Sequence, residues 1–341
     1  MIDKKLLDRQ ADRIEGVLAT YKIPSRILEG AVSPRFVRFP VAIGNNTPID
    51  RVIARSEEIA LCLGVSSVRI FRSSGSVYVE VPRTTMPNIT LDQLLVGIPT
   101  SKIKPVTGVL GLDPNGKVLM LKLSSPDVVH VLVSGSTGSG KTVLMRSFLT
   151  SVARLNRCRD VQMILIDPKG GRGFNPIANL PHVLGPVETT TDSGARRLES
   201  LVQEMLRRDR DGISTPEIIV AIDELADLIM ASREVTTSLL RLAQRGREAG
   251  IHLFAGTQKP SSDLIDTNLR SNFLVRVVGK VTSSLDARMS AGIAGTGAEA
   301  LLGRGDFVLV QGSTVIRFQS ATALDGAASR GTVDRALLSS M

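Results

Sequence analysis

The chain has 341 residues, with 42 lysines and arginines against 33 aspartates and glutamates, a formal net charge of +9. An apolar share of 43% supports a core, and 3% aromatics with no tryptophan makes that core aliphatic. Two cysteines and three histidines exclude a disulfide framework and a histidine-rich metal site. Apolar runs fall far short of the ~18 residues that span a membrane, and the first residues lack the apolar core of a signal peptide. The expectation is a basic, cytoplasmic protein of two domains, suited to a polyanionic partner.

Residues 4–20 carry Leu6, Leu7, Ala11, Ile14, Val17 and Leu18 at helical spacing. Residues 35–43 read as a strand, Pro48 opens a helix running to about Leu63, and residues 67–72 and 76–81 flank a Ser-Ser-Gly turn as a hairpin. This order predicts a small α+β domain over residues 1–105. The stretch Val96–Pro114, with three prolines and three glycines, marks its end. Apolar strands then follow at 128–133, 161–166, 218–222, 252–256 and 273–278, alternating with helical patterns at 141–155, 193–210, 235–248 and 284–292. That alternation predicts an α/β domain over residues 106–325, with a mainly parallel sheet covered on both faces. A hairpin at 306–310 and 314–318 closes it, and residues 326–341 form a tail.

The segment Gly135-Ser136-Thr137-Gly138-Ser139-Gly140-Lys141-Thr142 fits the phosphate-binding loop pattern, with a strand before it and a helix starting within it. The glycines let backbone N–H groups converge on phosphate oxygens, and the helix N-terminus adds its dipole. Lys141 is expected to reach the β- and γ-phosphates of ATP, and Thr142 to ligate Mg²⁺. Ile218–Ile222 reads as a buried strand ending in Asp223 and Glu224, where an open α/β sheet binds its ligands. Asp223 is expected to hold Mg²⁺ through water, and Glu224 to polarise the attacking water, which favours an ATPase over a nucleotide-holding switch. Asp167-Pro168-Lys169 and Thr257-Gln258 end two further strands. The first pair of charges faces the same crevice or makes a surface turn; the second pair senses the γ-phosphate or simply turns the chain. Arg241, Arg245 and Arg247 follow the acidic pair, and each alone is better explained by a surface ion pair than by catalysis.

These residues resemble the FtsK/SpoIIIE DNA translocases over about residues 15–325. The strings that carry the likeness are VLVSGSTGSGKT, LIDPK, LPHVLGPVETTTD, IIVAIDELADL, RLAQRGREAGIHLFAGTQKP and LLGRGDFVLV, with EEIALCLGVSSVRI, VYVEVP and NITLDQLL in the front part. The resemblance implies a RecA-like P-loop NTPase domain preceded by a small α subdomain, assembled as a hexameric ring around double-stranded DNA. It implies an ATPase that pumps DNA through a central pore with ATP and Mg²⁺. Gln258 then matches a sensor, and Arg247 an arginine inserted into the neighbouring subunit's site. Lys259, Arg270 and Arg288 match positions that contact DNA or couple subunits.

Two departures stand out. The family's Ser-Ser-Lys-Ile-Asp-Ser-Arg run reads Ser-Ser-Leu-Asp-Ala-Arg at 283–288, without its lysine. The sequence also shows no membrane or winged-helix domain of the large members, so the expectation is either a stripped motor or the motor part of a larger system. The rival reading is a related ring ATPase that serves protein secretion or conjugative transfer.

Overall fold

A computed structural model describes residues 4–32, 36–44, 47–73, 75–83, 89–99, 103–258 and 265–323. These fall into two compact units, residues 1–88 with 114–117, and residues 89–113 with 118–341.

The first unit is α+β. Its elements are α1 (Lys4–Thr20), β1 (Ser25–Ile27), β2 (Ala31–Val32), β3 (Phe36–Ile43), α2 (Ile49–Ile53), α3 (Ser56–Leu63), β4 (Arg69–Ser73) and β5 (Ser76–Pro82). The strands run antiparallel in the order β1-β3-β5-β4, with β2 on β3. Alternate residues Val37, Phe39 and Val41 of β3, and Val77, Val79 and Val81 of β5, join Ile14, Leu18 and Ile59 of the helices in one core. The predicted helix from Pro48 to Leu63 is broken at Ala54 and Arg55. The Arg55 guanidinium lies 4.3 Å from the Tyr21 ring centroid and pairs with Glu58 at 2.7 Å.

The second unit begins earlier than residue 105, the boundary expected from the prolines and glycines. Ile89 and Leu91, with Leu94 of α4 (Leu91–Leu95), pack on Val109 and Ala321. Leu91 N–H donates to Thr322 O at 2.9 Å, and Thr322 N–H to Ile89 O at 2.8 Å. Within the stretch Val96–Pro114, residues 107–112 form a strand of this unit, β6 (Thr107–Leu112), which pairs with β7 (Val118–Lys122) beyond it.

The chain continues as β8 (Val131–Ser134), α5 (Lys141–Leu155), β9 (Val161–Ile166), α6 (Thr191–Asp211), β10 (Glu217–Ile222), α7 (Leu225–Ala231), α8 (Arg233–Arg245), β11 (Ile251–Thr257), α9 (Thr267–Ser271), β12 (Val275–Gly279), α10 (Ser284–Ala291), β13 (Asp306–Gln311) and β14 (Thr314–Ser320). The sheet order is β7-β6-β14-β13-β12-β8-β11-β10-β9. Strands β12, β8, β11, β10 and β9 are parallel, and the remaining four extend the sheet antiparallel from β12. The parallel strands are apolar on both faces because both are covered. On β10, Ile219 and Ala221 face Phe148 and Phe254, while Ile218, Val220 and Ile222 join Leu198, Leu201 and Leu239 of α6 and α8. Among the described residues no helix is long and apolar enough to cross a membrane.

Candidate nucleotide site

The first parallel strand in sequence, β8, lies between β12 and β11, so the chain leaving it enters the crevice where strand order reverses. The phosphate loop fills that position. Its backbone needs glycine where φ is positive: +82° at Gly138 and +97° at Gly140. A Cβ on Gly140 would also stand 2.8 Å from Gly305 N. That closeness is functional packing: Gly305 N–H donates to Ser139 O at 2.7 Å, and Arg304 N–H to Gly138 O at 3.1 Å. Residues 303–305, all at positive φ, thus form a strut under the loop. The strut is fixed by Asp306, 1% exposed, which accepts from Arg317 Nε at 2.9 Å and Nη2 at 2.7 Å. On the other flank, Ser136 N–H and Oγ both donate to Lys280 O, at 2.9 and 2.8 Å.

Helix α5 starts at Lys141 with no acidic residue in its first turn, which leaves the helix N-terminus open to an anion. The buried Lys141 ammonium contacts the Asp223 carbonyl, with Asp223 Oδ1 at 3.2 Å and Glu224 Oε2 at 3.9 Å. Thr142 Oγ1 donates to Asp223 Oδ1 at 2.9 Å. Two glycines allow these approaches. A Cβ on Gly256 of β11 would lie 2.6 Å from Asp223 O and 3.0 Å from Lys141 Nζ. A Cβ on Gly173 would lie 2.8 Å from Asp223 Oδ2 and 3.1 Å from Thr142 Cγ2. A hydroxyl and a carboxylate meeting beside Gly173, which adds no side chain of its own, make a hard-oxygen donor set that fits Mg²⁺.

Glu224 follows β10 and is 3% exposed. Its Oε1 accepts Gln258 N–H at 3.1 Å, and its Oε2 lies 3.4 Å from Lys169 Nζ. Gln258 Oε1 accepts the Thr137 hydroxyl at 3.0 Å. The residues expected at the site from 135 to 142, with Asp223, Glu224 and Gln258, therefore meet at the carboxyl ends of β8, β10 and β11. Of the alternatives left open for Asp167 and Lys169, the structure assigns different roles. Asp167 is buried and caps its own turn, accepting from Lys169 N–H at 3.1 Å and Gly173 N–H at 2.7 Å, while the Lys169 side chain reaches Glu224.

The arginines divide. Arg245 pairs with Asp209 at 2.7 Å, a surface ion pair. Arg247 is exposed in the turn between α8 and β11, so it lies at the opposite end of β11 from Gln258. Seven strand residues span about 20 Å, so Arg247 does not join this site within one chain. Its turn is held from below: the buried Arg208 donates to Ala249 O at 2.9 Å. Arg270 donates to Ile265 O at 2.9 Å and is only partly exposed. The Arg276 guanidinium nearby is pushed below the ordinary arginine value, by burial first and then by the Arg270 charge. Arg288 is exposed on α10. Lys259 lies outside the described residues.

Sequence reasoning missed Gly173, Gly256 and the strut at 303–305. A glycine inside a strand pattern signals close backbone approach, and Gly256 was legible on that ground.

The family profile described as FtsK/SpoIIIE family matches residues 100–211 and 209–262, and that of the FtsK alpha domain matches residues 1–83. The chain is 31% identical over 354 residues to the DNA translocase FtsK of Sporosarcina ureae, covering 94% of this chain and 45% of the relative. It is 30% identical over 357 residues to the DNA translocase SpoIIIE of Bacillus subtilis, covering 95% and 45%. The chain thus spans less than half the length of these curated relatives. Among solved structures, the pCW3 conjugation coupling protein TcpA, a monomer form with ATPgS, superposes with a TM-score of 0.62 at 19% identity, covering 92% of this chain and 95% of that one. The fold is that of RecA-like P-loop ATPases, and the chain belongs to the FtsK/SpoIIIE family.

Proposed function

We propose that the chain is the motor of an ATP-driven double-stranded DNA translocase that works as a ring, a hexamer by family analogy. The observation that carries the reading is the meeting of Lys141, Thr142, Asp223 and Glu224 at the carboxyl ends of β8 and β10. Bound Mg²⁺ would neutralise phosphate charge between Thr142 and Asp223. Lys141 leaves Asp223 and turns to the β- and γ-phosphates. Glu224, held by Gln258 N–H, orients the attacking water. Arg247, exposed at the far end of β11, serves a neighbouring subunit's site. Gln258, bonded to Thr137, links the phosphate loop to Glu224. Arg288 and Arg270, with Lys259, supply cations to DNA phosphates, so binding is independent of sequence and weakens with salt.

The test is ATP hydrolysis with and without long linear duplex at two salt concentrations, beside Glu224→Gln and Lys141→Ala, followed by triplex displacement. Duplex stimulation that both substitutions abolish supports a DNA-coupled motor. Turnover indifferent to duplex moves secretion or conjugative transfer to first place. Mixing Arg247→Ala with Glu224→Gln subunits should restore turnover above either alone, since some interfaces then pair an intact Glu224 with an intact Arg247. Full specific activity in a monomer would end the in-trans role.

A further inference from the structure

We propose that Lys169 is a positioning residue that orients the Glu224 carboxylate, a role that rests on reading Glu224 as the group that orients water. The turn after β9 is built to present this lysine. Asp167 holds Lys169 N–H and Gly173 N–H with its two oxygens, at 3.1 and 2.7 Å. Its carbonyl accepts Gly171 N–H at 3.1 Å. Gly170 and Gly171, at φ +83° and +77°, then reverse the chain. From this fixed base the ammonium reaches Glu224 Oε2 at 3.4 Å and Asp227 Oδ2 at 3.3 Å. Burial pulls the lysine's pKa down, but the Glu224 and Asp227 carboxylates outweigh it and hold it above the ordinary lysine value.

Glu224 is thereby gripped through both oxygens, by a backbone N–H on Oε1 and by Lys169 on Oε2. Lys141 lies 3.9 Å from that same Oε2. When Lys141 engages a phosphate, Lys169 is the cation left on the carboxylate. A buried carboxylate with one anchor keeps rotational freedom that a water-orienting group must not have, since small misplacements are costly in rate. Stability does not explain the lysine. Its side chain is 51% exposed against 4% for Glu224, and the Gln258 N–H stays on that carboxylate when the lysine is removed, so the lysine's share in folding is small. Asp227, in the first turn of α7, anchors the ammonium from the other side and belongs to the same device.

The test is Lys169→Met in the full chain with duplex DNA, measured as kcat, KM for ATP, affinity for a fluorescent ATP analogue, and melting temperature. The expected result is a fall in kcat of about 10–100-fold, with KM, analogue affinity and melting temperature close to wild type. Lys169→Arg should recover most of the loss, because a guanidinium still spans two carboxylates. In a Glu224→Gln background, Lys169→Met should lower residual turnover no further, because both act through one group. Unchanged or raised kcat in Lys169→Met, or lost ATP affinity in place of lost kcat, overturns the positioning role. Full turnover in Glu224→Gln alone would instead remove the reading of Glu224 on which the role rests.

Discussion

Gly256→Ala probes how closely the site is packed. The added methyl would sit 2.6 Å from the Asp223 carbonyl oxygen, 2.8 Å from Met145 Sδ and 3.0 Å from Lys141 Nζ. Met145 and Lys141 end in flexible chains and can swing aside. The Asp223 carbonyl belongs to the backbone between β10 and α7 and cannot. Ordinary contact begins at 3.4 Å, so that carbonyl must retreat by about 0.8 Å if the methyl stays where the strand puts it. Displacement on the 1 Å scale costs about 100-fold in rate when it misplaces reacting groups. The expectation is a kcat for ATP hydrolysis lower by about 10–100-fold, with an overpacking penalty of about 1–3 kcal/mol. Steady-state hydrolysis with duplex DNA and a melting curve measure both. Gly16→Ala is the control, since its methyl would meet nothing within 4 Å. A folded Gly256→Ala protein with kcat and KM within about twofold of wild type would refute the claim that this approach positions Asp223 and Glu224.

The strut is tested by Asp306→Asn, which takes the buried carboxylate away from the largely buried Arg317 guanidinium. Breaking such a pair from one side costs about 3–5 kcal/mol, and denaturant unfolding should show it, together with weaker ATP binding as residues 303–305 loosen under the loop; wild-type stability would contradict the assignment. A pH prediction rests on His130, which burial, and then the charge of His252, hold down to about 3 from an ordinary value of 6.5. Below pH 6.5 the unfolded chain takes up a proton that the folded chain refuses, so stability present above that pH is lost on acidification until about pH 3. At about 1.4 kcal/mol per pH unit, the loss is about 2 kcal/mol between pH 6.5 and 5. His130→Asn, which keeps an acceptor for Leu253 N–H, should flatten that slope by the same amount; equal slopes in the two proteins would show that His130 does not carry it.

What the sequence discloses about this site depends on how local each cause is. Lys141 and Thr142 are legible because the loop, its glycines and the helix start lie within eight consecutive residues. Asp223 and Glu224 are legible because an apolar strand points them at a crevice whose position follows from strand order. Gly140 reads as a loop glycine, but its further need, the approach to Gly305, joins segments about 160 residues apart and leaves no local trace. Strand β6 reads as part of a linker because Pro105 and Pro114 flank it and Gly108 and Gly111 lie within it, Gly111 at its bulge. Only pairing with β14 at the sheet's antiparallel flank makes it strand. Asp167 and Lys169 lie two residues apart in one strand-end turn, yet one caps that turn and the other reaches 55 positions along the chain to Glu224.

On the proposed reading, β11 links one nucleotide site to the next. Its first residue follows the turn that presents Arg247, and Gln258 follows its last. All seven strand residues are buried, and the strand is bonded to β10 on one side and β8 on the other. Such a strand does not bend independently of its neighbours. Gln258 meanwhile serves two masters, with its side chain on Thr137 of the phosphate loop and its N–H on Glu224. A phosphate that draws Thr137 away frees the Gln258 side chain while the N–H remains on the carboxylate. Any backbone movement that follows is carried by the strand as a body, and Arg208 and the Arg245–Asp209 pair fasten the far turn to α6 so that it moves with it. Occupancy of one site would thus reach the arginine offered to the neighbour through a single packed element that shifts as a unit.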